Sequence, residues 1–192
     1  AARARIAGMH PQLEGEGPLL LLPGRGTRLK GHTDAIALLA ALRGAGTDAR
    51  LWMPGMVQAG REAYVRELVE MTRRASIEDA VAMTEPTADM PTAYAASDLV
   101  LQLSRKPEAF GRTVIEALSI GRPVLGWDHG GVGELLRELQ PEGAVLPFDA
   151  TALRECAQAL LANPPVPPAT MPYTLRAMQE ATLAQYHALV QA

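Results

Sequence analysis

Apolar residues in this chain alternate between two arrangements. Some form short continuous runs, and between these runs others recur at helical spacing. Leu19-Leu20-Leu21-Leu22 is an unbroken apolar run closed by Pro23-Gly24, the pattern of a strand buried on both faces. A helix is predicted over about 33–43, with Ile36, Leu39 and Leu42 as its stripe and Gly44 and Gly46 ending it. Leu51-Trp52-Met53 reads as a second strand, closed by Pro54-Gly55, and the helix after it carries Tyr64, Leu68 and Met71 on one face. Val81-Ala82-Met83 is a weaker third strand, followed by a short helix containing Tyr94. The alternation then continues as strand 98–103, helix 112–120, strand 123–127, helix 132–139 and strand 144–147. Strands and helices that take turns in this way predict parallel βαβ units with right-handed crossovers. The expected fold is therefore α/β, a Rossmann-like three-layer domain with a parallel sheet of about six strands.

The ends of the chain break this rhythm. Residues 1–17 are small, polar and punctuated by Gly and Pro, and are expected to be an N-terminal tail or interdomain linker. Residues 18–162 make up the α/β domain. Asn163-Pro164-Pro165-Val166-Pro167-Pro168 opens a stiff, extended spacer over 163–173. A terminal helix over 174–192 follows, bearing Leu175, Met178, Tyr186 and Leu189, and a helix delivered by a spacer is expected to dock on something.

Composition narrows the function. A content of 48% hydrophobic residues over 192 positions is enough for a sizeable core, and a net charge of −3 argues against a nucleic-acid footprint. A single cysteine excludes an intramolecular disulfide framework and fits a reducing compartment. No apolar run approaches the ~20 residues that span a bilayer, and no signal-peptide pattern precedes the first strand. The expected location is cytoplasmic, with peripheral attachment at the inner face of the membrane in a full-length enzyme.

The densest chemistry lies in Pro107-Glu108-Ala109-Phe110-Gly111-Arg112-Thr113-Val114-Ile115-Glu116. Glu108 should lie in the loop at the C-terminal end of a strand, and Glu116 one turn into the next helix. Ligands of open α/β sheets bind at such strand ends. Carboxylates there suit the hydroxyls of a ribose or a sugar, while amides and cations hold phosphates. The first strand ends in Gly24-Arg25-Gly26-Thr27-Arg28-Leu29-Lys30-Gly31, where Arg25 and Lys30 offer a fork and a point charge to a diphosphate. The dinucleotide fingerprint G-x-G-x-x-G fails because Leu29 holds the third glycine position, which disfavours an NAD-dependent dehydrogenase. Asp128-His129-Gly130-Gly131-Val132-Gly133-Glu134 offers free amides as an anion nest, or simply a tight turn that His129 helps to shape. His32 reads as a helix N-cap neighbour and Cys156 as core. No His, Cys and Asp cluster has metal-ligand spacing.

Taken in order, these segments resemble the C-terminal, donor-binding half of a GT-B glycosyltransferase of the retaining family 4 (glycosyl transferases group 1). The resemblance rests on Gly24-Arg25 with Lys30-Gly31, Tyr94-Ala95-Ala96-Ser97-Asp98, the Glu108-x7-Glu116 motif, Gly121-Arg122-Pro123-Val124, and Gly130-Gly131-x-x-Glu134. It covers about residues 18–162. It implies transfer of a sugar, with retention, from a nucleoside-diphosphate sugar (UDP- or GDP-linked) to a glycan or lipid-linked acceptor. Bacterial polysaccharide biosynthesis is the commonest setting for such enzymes.

The same resemblance implies individual roles. Arg25 and Lys30 bind the diphosphate beside Gly24, Glu116 takes the ribose hydroxyls, and Glu108 stands beside the transferred sugar. The backbone of Ala109, Phe110 and Gly111 contacts sugar hydroxyls, and the amides of Arg112 and Thr113 face the phosphates. Gly130 and Gly131 complete the donor pocket, and the base lies against Met83, Thr84 and Glu85. Stabilisation of the leaving diphosphate is electrostatic, with no metal or other cofactor expected. The acceptor belongs to an N-terminal half that this chain lacks, so the chain alone is expected to be inactive. Two readings compete: a nucleotide-sugar epimerase of the same architecture, and a nucleotide-binding module without transfer activity. Ser104-Arg105-Lys106-Pro107 is more basic than the usual serine loop, and Arg112 replaces a commoner leucine; both bear on sugar choice.

Overall fold

A computed structural model describes residues 1–191. Ala192, the last residue of the expected terminal helix, lies outside the described residues. In chain order the elements are α1 (Ala2–Met9), β1 (Leu19–Leu21), α2 (His32–Gly44), β2 (Arg50–Pro54), α3 (Glu62–Arg74), β3 (Val81–Thr84), α4 (Met90–Ala96) and β4 (Leu99–Gln102). They continue as α5 (Arg112–Ser119), β5 (Val124–Trp127), α6 (Gly130–Leu139), β6 (Ala144–Val145), α7 (Ala150–Ala162) and α8 (Leu175–Gln191). The six strands form one sheet in the order β3-β2-β1-β4-β5-β6, parallel at every pairing. This is the predicted three-layer Rossmann-like domain.

Unbroken apolar strands follow from this architecture, because both faces of the sheet are covered. Leu20, Leu51, Met53, Leu99, Leu101 and Leu125 point into a core shared with α2, α3 and α7. Their neighbours Leu19, Leu21, Trp52, Val100 and Val124 point into a second core shared with α1, α4, α5 and α6. Adjacent residues of a strand serve opposite cores because side chains alternate across the sheet. Truncating any of these buried leucines to alanine costs about 2–5 kcal/mol.

The N-terminal segment corrects the expectation of a tail. Residues 2–9 are helical, and Ile6 and Leu13 are buried in the second core. Arg3 fixes the segment by donating to Asp98 Oδ2 at 3.2 Å and to the carbonyl of Gly17 at 2.8 Å. Asp98 accepts in addition from the amide of Leu19 at 2.8 Å, so it joins the start of β1 to α1. Only two large apolar residues anchor α1 and its following turn, too few for a periodic pattern to stand out.

Spacer residues 163–174 hold no regular element, and Pro165–Pro168 lie against the turn at Gly121 and Arg122. Cys156 sits at the margin of the first core, half-buried, with its thiol donating to the carbonyl of Glu142. Burial pushes that thiol above its usual range, so it is a poor nucleophile. Beyond the spacer, Leu175, Met178, Leu183, Tyr186 and Leu189 of α8 are all exposed.

Candidate functional site

The sheet order places a topological switch between β1 and β4: β2 and β3 follow to one side, β5 and β6 to the other. Loops leaving the C-terminal ends of β1 and β4 diverge there and leave a crevice, the usual ligand position in such sheets. Those two loops are Gly24–Gly31 and Leu103–Gly111, the two that carry the candidate residues.

Close backbone contacts hold the loops together. Gly31 has φ +76°, and a Cβ built on it would stand 2.0 Å from the carbonyl oxygen of Leu103, so only glycine fits. The amide of Arg105 donates to the carbonyl of Leu29 at 2.7 Å. On the other flank a Cβ on Gly131 would meet the carbonyl oxygens of Phe110 at 2.4 Å and Ala109 at 2.7 Å. The amide of Gly131 donates to the carbonyl of Glu108 at 2.8 Å. That amide is therefore taken, which corrects the reading of the Gly130-Gly131 turn as a nest of free amides. The turn braces the Glu108 loop from below. His129 does the same, with its Nε2 2.9 Å from the carbonyl oxygen of Ser104.

Glu108 is held by three side chains. Lys30 Nζ donates to Oε1 at 2.5 Å, Ser104 Oγ donates to the same oxygen, and Gln102 Nε2 donates to Oε2 at 3.3 Å. Burial works to raise its carboxyl pKa. The hydrogen bonds from Lys30 and Ser104, and the charge of Lys30, outweigh this and hold it below the usual carboxylate range.

Glu116 stands in a different setting. It accepts from the buried phenol of Tyr94 at 2.8 Å through Oε2, while among the described residues Oε1 has only the Arg112 guanidinium at 3.7 Å. The Arg112 side chain is 83% exposed, so that pair is weak. Among the described residues no side chain caps α5: Gly111 stands at its N-cap, leaving the amides of Arg112 and Thr113 at the crevice mouth without a side-chain partner. Phe110 is exposed beside them and meets Tyr173 edge to face.

Other expected residues lie near but play different parts. Gly24 packs against the stem of Lys30. Arg25 is exposed and has no side-chain hydrogen bond or ion pair among the described residues. Met83 packs into the first core, whereas Thr84 accepts from Trp52 Nε1 at 3.1 Å and donates to the carbonyl of Glu85. The β2–β3 side joins the crevice through Gly55, whose amide donates to Thr84 and which abuts the carbonyl of Gly24.

Arg105 turns away from the crevice. It donates to both oxygens of Asp34 at 2.7 Å and lies 4.8 Å from the Phe148 ring centroid. Its charge is thus consumed on the α2 side. His32 is more than a cap neighbour: it is wholly buried, meets Tyr64 edge to face, and among the described residues neither ring nitrogen has a hydrogen-bond partner of normal geometry. Burial pushes its pKa down to about 4, so the ring is neutral near pH 7.

Sequence reasoning gave no individual role to Gln102, Ser104 or Tyr94, although Ser104 lies in the loop read as bearing on sugar choice and Tyr94 in one of the resembling segments. The signal for Gln102 was one polar residue inside the run Leu99-Val100-Leu101-Gln102-Leu103, since a buried amide in a strand needs a partner. Among the described residues no group of three or more His, Cys, Asp or Glu is placed to hold a metal ion. None of the described helices is long and apolar enough to cross a membrane.

The three-layer Rossmann-like domain with a six-stranded parallel sheet matches the fold of GT-B glycosyltransferases. Residues 10–175 match the family described as Glycosyl transferases group 1, and the chain belongs to that family. It is 34% identical over 122 residues to mannosylfructose-phosphate synthase of Agrobacterium fabrum (strain C58), a match covering 61% of this chain and 27% of that protein. HepE of Anabaena, solved with UDP and glucose, superposes with a TM-score of 0.73 at 25% identity, over 84% of this chain and 43% of that one. Sucrose-phosphate synthase of Thermosynechococcus elongatus superposes at 0.69 with 27% identity, over 85% and 39%. The chain thus spans less than half the length of each of these relatives.

Proposed function

We propose that this chain is the donor-binding, C-terminal part of a retaining glycosyltransferase of family 4, which takes a sugar from a nucleoside-diphosphate donor. The carrying observation is the contrast between the two acids at the switch point. Glu108 is tied to Lys30 and two further donors, whereas Glu116 keeps one oxygen open to a ligand. An open carboxylate one turn into α5 suits the ribose diol, and the uncapped α5 amides suit the phosphates it carries. UDP and glucose bound to the related HepE support a nucleotide sugar as donor.

In this reading the ribose sits on Glu116, with the base toward Thr84 and Glu85. The diphosphate lies between Arg25, Lys30 and the α5 amides, and the sugar lies against Glu108 and the Ala109–Gly111 backbone. As transfer proceeds, the bond from the anomeric carbon to the diphosphate oxygen breaks and the electron pair leaves with the diphosphate. The positive charges of Arg25 and Lys30, with the helix amides, stabilise that leaving group. The acceptor hydroxyl bonds to the same face of the anomeric carbon and gives up its proton to the departing phosphate oxygen. The acceptor, a glycan or lipid-linked hydroxyl compound, approaches from a further N-terminal part of the enzyme.

Calorimetric titration with UDP, GDP, a UDP-sugar, GDP-mannose and NAD tests the reading. A nucleoside diphosphate is expected to bind, NAD not to bind, and Glu116→Ala to weaken the diphosphate at least about tenfold, or ~1.4 kcal/mol. Equal binding by the wild type and Glu116→Ala would sink the assignment. Sugar transfer by this chain alone is expected to be undetectable.

A further inference from the structure

We infer that Tyr94 is a positioning residue for nucleotide binding: its buried phenol sets the orientation of Glu116, so that the carboxylate meets the ribose diol ready-aligned. The inference rests on the ribose role given to Glu116 above. Tyr94 lies on α4, which packs directly against α5, and the residue is 2% exposed within the second core. Only its hydroxyl reaches the edge of that core, where it donates to Glu116 Oε2 at 2.8 Å.

Two physical consequences follow from this placement. A buried phenol must find an acceptor, and among the described residues its acceptor is this carboxylate. Burial, then the bond to Glu116 and its charge, push the phenol well above its ordinary pKa, so it stays a donor throughout the working range. Glu116, by contrast, is 43% exposed along its side chain and has no other firm partner among the described residues. Left alone, a surface glutamate samples several rotamers, and a ligand that binds it must freeze them. Tyr94 has already restricted them. Its single hydrogen bond uses one lone pair of Oε2 and leaves the other lone pairs of the two oxygens without a hydrogen bond among the described residues. That is the acceptor pattern a vicinal cis-diol requires, since its two hydroxyls can meet both oxygens of one carboxylate.

The alternative is that the bond merely satisfies a buried hydroxyl. The two roles separate in their effect on ribose discrimination. Tyr94→Phe keeps the ring and its packing and removes only the donor. UDP, dUDP, GDP and dGDP are titrated by calorimetry into the wild type, Tyr94→Phe, Glu116→Ala and the double variant, with thermal unfolding of each as a control. The wild type is expected to prefer the ribonucleotide of whichever base it binds, and Glu116→Ala to lose that preference. Tyr94→Phe is expected to shrink the preference by roughly three- to tenfold, the range that freezing one side chain represents, with deoxynucleotide affinity almost unchanged. The double variant should discriminate no better than Glu116→Ala alone. Full preference retained in Tyr94→Phe overturns the inference while the ribose assignment stands. An equal loss of affinity for both nucleotides, tracking a lower melting temperature, overturns it in favour of a packing role. A wild type that does not discriminate, or binds no nucleotide, overturns the inference and the ribose assignment together.

Discussion

Glu108 and Glu116 are the same residue type on one strand–loop–helix unit, yet their surroundings divide the labour between them. Lys30, Ser104 and Gln102 donate to Glu108, and its loop is braced from beneath by Gly131 and His129. Glu116 projects from the first turn and a half of α5 with one strong protein donor, Tyr94, and one loose one, Arg112. A carboxylate held by three donors of its own protein contributes largely to the shape of the site. One with open lone pairs contributes chiefly to a ligand. The sequence motif joins the two acids, but the forces on them differ.

The contrast breaks most severely if the brace under Glu108 is removed. Gly131→Ala drives a Cβ into the carbonyls of Phe110 and Ala109. Backbone cannot yield there as a flexible side chain would, so about 3 kcal/mol of stability should be lost, read from the urea midpoint. A midpoint within error of the wild type would show that the loop is not held as described. The acids themselves come next. Glu108→Ala strands a partly buried lysine and leaves Gln102 Nε2 without this acceptor, while Ser104 keeps only its longer bond to Gln102 Oε1 at 3.2 Å, for a loss of about 2 kcal/mol. Glu116→Ala leaves the buried Tyr94 phenol without this acceptor and removes the proposed ribose contact, and should cost about 1 kcal/mol, less than Glu108→Ala. Equal destabilisation by both would erase the distinction.

Acid titration sharpens the same point. The folded pKa of Glu108 lies below its ordinary value of 4.5, so the unfolded chain takes up the proton first as pH falls. The stability Glu108 supplies is full above that ordinary value and is lost as pH falls through the lowered folded one. In Glu108→Gln this part of the acid-side slope should vanish.

How legible was this in the sequence? The sheet was readable because it is buried on both faces, so runs such as Leu19–Leu22 and Leu99–Leu101 stand out without any need for alternation. The motif positions were readable too, since Gly31 and Gly131 occupy places where the backbone of another loop leaves no room for a side chain. The N-terminal helix was missed because Ile6 and Leu13 alone tie it to the core, and the Arg3 contact to Asp98 spans 95 residues. Partner choice was the least legible. Arg105 and Lys30 look alike as basic residues in neighbouring loops, and only the folded chain shows Arg105 spent on Asp34 while Lys30 meets Glu108. The roles of Gln102, Ser104 and Tyr94 emerged in the same way, from distances that no local pattern encodes.

Arg112 offers the finest test of the comparison, because it touches the open acid. Its guanidinium lies 3.7 Å from Glu116 Oε1 and is largely in solvent, so the pair contributes only about 0.3–0.5 kcal/mol to α5. Two opposed effects follow in Arg112→Leu. Oε1 loses a competitor, which favours a ribose, while the mouth of the uncapped helix loses a cation, which disfavours phosphates. A diphosphate carries more charge than one carboxylate, so the guanidinium should leave Glu116 for the phosphates on binding, and the second effect should win. Affinity for the preferred nucleoside diphosphate should then fall about two- to threefold, with a shallower dependence on salt, since screened surface charge is what was removed. Affinity for the corresponding nucleoside, which has no phosphate, should stay constant or rise. A fall for the nucleoside as large as that for the diphosphate would mean that Arg112 supports Glu116 rather than competing for it, and that the open acid is less open than its geometry shows.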